Sequence, residues 1–206
     1  MKTIEKFMNY RLLAILLTAF MISSCSSDDD APEEENDEEV ITNVTLIFTN
    51  TSDPNDVVRA SAEDPDGEGV QELEVMDFIT LSLDTEYTLT FEVSNALDPN
   101  DVEDITAEIL KEDNEHQIFF SFTDGAFASP TGNGNVDNAS DPLNYNDEDE
   151  NGNPVGLSTS WTTPATSSAG GTFNVRLQHQ PDLKTATTGA DVGDSDFDLD
   201  FVLNIQ

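Results

Sequence analysis

The chain has 206 residues, with 43 Asp or Glu against seven Lys or Arg, and a formal net charge of −36 at pH 7. Such a charge repels nucleic acid phosphates and anionic lipid headgroups and favours cations, so it excludes partners held by basic patches. The length fits one domain of moderate size, and the single cysteine, Cys25, excludes an internal disulfide and a thiolate metal site.

Residues 1–24 read as an export signal. Lys2, Lys6 and Arg11 form a basic start, and Leu12 to Ile22 is an apolar run, shorter than the roughly 20 residues a membrane-spanning helix needs. Ile22-Ser23-Ser24-Cys25 has the pattern of a bacterial lipobox: an aliphatic residue, two small ones, then the thiol that accepts a diacylglycerol. Cleavage before Cys25 leaves 182 residues, with 42 acids against four bases: Arg59, Lys111, Arg176 and Lys184. The chain is thus expected to be a lipoprotein, anchored to the outer membrane through Cys25. Residues 25–39 form the tether, in which Ser26 to Glu39 holds nine acids, no base and no large apolar side chain, a composition expected to be disordered. Ser27-Asp28-Asp29-Asp30 resembles the acidic signal behind the lipidated cysteine of surface-exposed Bacteroidetes lipoproteins, which implies display at the cell surface.

A folded domain is expected over 40–206. Period-two alternation marks strands at Val44, Leu46 and Phe48, at Tyr87 to Val93, at Ile118, Phe120 and Phe122, at Phe173, Val175 and Leu177, and at Phe197 to Ile205. Fainter strand signals cover Val57–Ala62, Gln71–Val75, Phe78–Leu83 and Gly156–Thr162. Val102, Ile105 and Ile109 instead follow helical spacing, so a short helix is expected over 102–114, capped by Asp101 or Asp104. The expected fold is a mostly β, single antiparallel β-sandwich, immunoglobulin-like in general shape, with that one helix. Asp53-Pro54-Asn55-Asp56-Val57 and Asp98-Pro99-Asn100-Asp101-Val102 share turn chemistry, not a repeated fold unit.

The two histidines carry the main chemical expectation. His116 is in phase with Ile118, Phe120 and Phe122, and His179 with Phe173, Val175 and Leu177. On neighbouring strands both imidazoles would point inward at one end of the core. With Glu112 and Glu115 as oxygen donors they make a candidate site for a borderline metal such as zinc. Asp147, Asp149 and Asn151, followed by Gly152, match the first half of a calcium loop, but the twelfth position is Ser158 where a closing Glu belongs. Asp64-Pro65-Asp66-Gly67-Glu68 is a shorter relative of that loop. Asp194, Asp196, Asp198 and Asp200 alternate as the solvent face of the last strand, with a bound cation that relieves their mutual repulsion as the alternative. Ser158 and Ser160 sit in no nucleophile elbow, and no glycine-rich phosphate loop is present, so a non-catalytic protein is expected. Trp161, Tyr87 and Tyr145 are candidate sugar-stacking aromatics, with a core Trp161 the simpler reading.

Four motifs, Glu39-Val40-Ile41-Thr42, Glu115-His116-Gln117-Ile118-Phe119-Phe120, Gly152-Asn153-Pro154-Val155-Gly156-Leu157 and Arg176-Leu177-Gln178-His179-Gln180-Pro181, together resemble a Bacteroidetes lipoprotein family. That family is catalogued as "type 1 periplasmic-binding domain-containing protein" and often accompanies TonB-dependent receptors. The resemblance implies a surface setting and a link to nutrient or metal uptake. The catalogue name implies an α/β fold, whereas the alternation here implies the sandwich. The sequence therefore points to a non-catalytic binding lipoprotein serving TonB-dependent uptake of a metal such as zinc, with no nucleic acid partner. The alternatives are an adhesion or structural module stiffened by Ca2+ and a glycan-binding accessory lipoprotein.

Overall fold

The computed structural model describes residues 40–67 and 72–206. The expected signal peptide, the expected lipidation site Cys25 and the expected acidic tether lie outside the described residues.

Two sheets face each other. The first runs β3 (Glu74–Val75), β2 (Val57–Glu63), β1 (Asn43–Asn50), β5 (Glu86–Asn95) and β6 (Glu103–Asp104), and β8 (Ser158–Thr162) also pairs with β5. The second runs β4 (Ile79–Leu81), β10 (Asp194–Ile205), β9 (Ser168–His179) and β7 (His116–Phe122). The described residues form a mostly β sandwich with one short helix. All pairings between these strands are antiparallel except that of β4 with β10, where Ile79 lies opposite Leu203 in a parallel edge pair.

Alternation explains the core. Val44, Leu46 and Phe48 of β1 and Tyr87, Leu89, Phe91 and Val93 of β5 point inward, against the apolar positions of β7, β9 and β10. At the centre Trp161 packs edge-on against Phe122 and Phe173, with ring centroids 5.4 and 5.0 Å apart. Its Nε1–H donates to Thr159 Oγ1 at 2.7 Å, which satisfies the one polar atom such a buried ring carries.

The helix α1 spans Ile105–Lys111, shorter than the spacing predicts. Glu103 and Asp104 pair with Asn95 and Ser94 of β5, so strand hydrogen bonds claim the residues ahead of it, and Val102 stays exposed. Seven residues are too few for a helix to persist alone. Burial of Ile105 and Ile109 holds it, together with Thr106 Oγ1, which accepts from the Val93 N–H at 2.7 Å. Asp104 caps it by accepting from the Ala107 N–H. Asp104→Ala should lower the unfolding free energy by about 1 kcal/mol, the usual cost of losing a cap. Urea denaturation checks this, and an unchanged midpoint would show that packing alone holds α1.

The 35-residue connection over 123–157 straps the outer edge of β7. Beyond His116, the N–H groups that β7 aims away from β9 find partners there: Ile118 N–H on Val155 O (2.7 Å), Phe120 N–H on Asn135 Oδ1 (3.0 Å) and Phe122 N–H on Asn133 O (2.9 Å). An edge strand otherwise exposes such donors. A methyl on Gly134 (φ +97°) would sit 2.1 Å from the Phe120 carbonyl oxygen, so only glycine lets the strap come this close. Phe119, on the face of β7 away from the core, is buried as well. Tyr145 donates from its hydroxyl to Ile118 O at 2.7 Å, and burial pushes its pKa up to about 12. No helix among the described residues is long and apolar enough to cross a membrane.

Candidate functional site

His116 opens β7 immediately after the turn that ends α1, and His179 closes β9. The register places them directly opposite each other across the β7–β9 pair. Their rings stack, with centroids 4.6 Å apart and planes 7° from parallel. Both side chains are buried, at 1% and 7% exposure.

The local turn fixes the His116 tautomer. Glu112 O accepts from the His116 backbone N–H at 3.3 Å and lies 3.2 Å from His116 Nδ1. A carbonyl can only accept, so Nδ1 carries the proton and Nε2 presents a lone pair. That Nε2 is buried and has no hydrogen-bond partner among the described residues. It faces Asp196 Oδ2 at 3.8 Å, and the Asp196 side chain is 0% exposed. Burial, reinforced by the charge His179 can take on, lowers the His116 pKa to about 4. Both effects outweigh the Glu112 hydrogen bond and the Glu115 carboxylate, which favour the protonated ring. His116 is therefore neutral near pH 7, the state a metal ligand needs. On the outer side, His179 Nε2 lies 3.6 Å from Glu115 Oε2, and Glu115 is 27% exposed.

Asp196 corrects the expected solvent stripe. Ser195 pairs with Gln178 and Phe197 with Leu177, leaving Asp196 as an extra residue in a β-bulge. The bulge turns its side chain inward. Asp198 and Asp200 beyond it do face solvent, and the Asn174 amide donates to both, at 2.6 and 3.1 Å. The chain reaches the bulge through Gly193 (φ +79°), where a Cβ would lie 2.0 Å from the His179 carbonyl oxygen.

The other expected residues fall as follows. Glu112 contributes its carbonyl to His116, while its carboxylate is 31% exposed and sits 3.8 Å from Lys111 Nζ. The loop carboxylates of Asp147 and Asp149 are already engaged. Asp147 accepts from the Gly156 and Ser158 N–H groups, both at 2.9 Å. Asp149 accepts from the Asn151 and Asn153 N–H groups at 2.9 and 2.8 Å, and Lys184 Nζ lies 3.3 Å from its second oxygen. The Lys184 side chain is fully buried and also donates to Asp113 O at 2.5 Å. Burial drives the Lys184 pKa down, opposed by Asp149. Burial would raise the Asp149 pKa, but the Asn153 hydrogen bonds and the Lys184 ammonium hold it below the usual carboxylate range. The Lys184 ammonium thus already partners one carboxylate of the expected calcium loop. In the shorter relative, Asp64 Oδ1 accepts from the Asp66 and Gly67 N–H groups. Trp161 and Tyr87 lie in the core, so neither offers a sugar-stacking face.

Among the described residues no group of three or more His, Cys, Asp or Glu is already arranged to hold a metal ion. The near-parallel rings explain this for the histidine pair. Their Nε2 lone pairs lie in separate planes, so convergence on one ion takes a turn of the His179 ring about its Cβ–Cγ bond. Comparison with protein-family models, curated proteins and solved structures finds no match to this chain.

Proposed function

We propose that the chain is a non-catalytic binding lipoprotein, held at the outer membrane by lipid on Cys25 and displayed at the surface, which captures a divalent transition metal, with zinc the best fit, through His116 and His179. One observation carries the reading: the buried His116 Nε2, with Nδ1–H tied to a backbone carbonyl, presents a lone pair that no donor satisfies. Metal-binding imidazoles are commonly oriented in this way. The stacked His179 supplies a second nitrogen, and Glu115 at the partly open side supplies oxygen. Two imidazoles and carboxylate suit zinc better than calcium, which takes oxygen alone. The strongly acidic surface draws cations toward the site. Delivery to a TonB-dependent receptor completes the proposal and rests on the sequence resemblance.

Titration calorimetry of the full-length protein in detergent tests it. Zinc should bind with about one-to-one stoichiometry, and the His116→Ala/His179→Ala double variant should bind roughly 100-fold more weakly or worse, beyond the loss expected from an outer-shell partner. Equal affinity in parent and double variant would overturn the reading.

A further inference from the structure

We infer that Asp196, turned inward by the β10 bulge, is a direct ligand of the cation bound by His116 and His179. This rests on the metal reading above and names a residue that the alternation of the sequence places in solvent. Three observations support it.

The first is distance. The 3.8 Å between His116 Nε2 and Asp196 Oδ2 exceeds the roughly 2.7–3.2 Å of a hydrogen bond. Two ligands of one tetrahedral zinc, each about 2.1 Å from the metal, stand roughly 3.4 Å apart. The second is polarity. A lone pair directed at a carboxylate is repulsive at close range, and a cation between the two makes it attractive. The third is charge. The carboxylates of Asp196 and Glu115 together carry the two negative charges that balance a dication, which suits a buried position where net charge is costly. Glu112, whose carboxylate lies beside Lys111, is then an orienting residue acting through its carbonyl.

The test uses full-length protein in detergent, zinc calorimetry and cobalt(II) absorption. Asp196→Asn keeps the shape and removes the charge, and should weaken zinc binding at least tenfold. Asp198→Asn, on the solvent side of the same strand, should leave binding within twofold. Asp196→Cys puts a thiolate at the proposed position, and its cobalt complex should show a sulfur-to-cobalt charge-transfer band that the parent lacks. This last readout depends on direct ligation and does not move for a merely structural role. If the parent binds no zinc, the metal reading fails and this inference with it. If the parent binds but Asp196→Asn binds equally well, or Asp196→Cys gives no charge-transfer band, only the assignment of Asp196 is overturned. Equal loss in Asp196→Asn and Asp198→Asn would point to bulk charge and also overturn it.

Discussion

Lys184→Met should lower the unfolding free energy by about 3–5 kcal/mol, the usual cost of removing one partner from a buried ion pair. For a domain of this size that is a fall in melting temperature of roughly 10 °C. The substitution keeps most of the apolar stem, so the loss isolates the ammonium. Without it the buried Asp149 carboxylate loses its cation and Asp113 O loses its donor. The lysine also joins the turn after α1, the 147–153 loop and the 180–193 connection. Gln180 anchors that last segment by donating to Gly189 O and Val192 O at 2.9 and 3.0 Å. Adding Asp149→Asn to Lys184→Met should recover part of the loss by removing the stranded charge. A double-mutant cycle from thermal unfolding checks both points. A loss under about 1 kcal/mol would mean the pair behaves like a surface ion pair despite its burial.

Acid should destabilise the metal-free protein through His116. The folded pKa is about 4 against an ordinary 6.5. Between those values the unfolded chain holds the proton and the folded chain does not. Stability therefore rises with pH across this window and falls as pH drops from about 6.5 to about 4. Above 6.5 both states are neutral at this ring, and below 4 both are charged, so the contribution is flat on either side. The separation amounts to about 3 kcal/mol at 1.36 kcal/mol per pH unit. In chelator-treated samples, His116→Asn should flatten the stability profile in this window, since its amide can still donate to Glu112 O. Parallel profiles for parent and variant would show that another group governs the acid limb.

The strands with clean alternation, such as Tyr87 to Val93 and Phe197 to Ile205, were legible because a half-buried strand must show one face to oil and one to water. The in-phase histidines were legible for the same reason, and they do meet. Asp196 was not, because a one-residue bulge reverses the facing of a side chain without changing the pattern around it. Lys184 had no local signature: its partners are a carbonyl 71 residues away and a carboxylate in another loop. The helix start was misplaced because pairing with β5 competes for Glu103 and Asp104.

That covering segment also governs how neighbouring copies can meet. An extended segment from another molecule approaching β7 finds the N–H groups of Ile118, Phe120 and Phe122 already taken and the Gly134 backbone packed against Phe120. Strand exchange or sheet-to-sheet stacking along this side first requires the strap to peel away, breaking several long-range hydrogen bonds. A high local concentration of copies therefore gives β7 no template for misassembly.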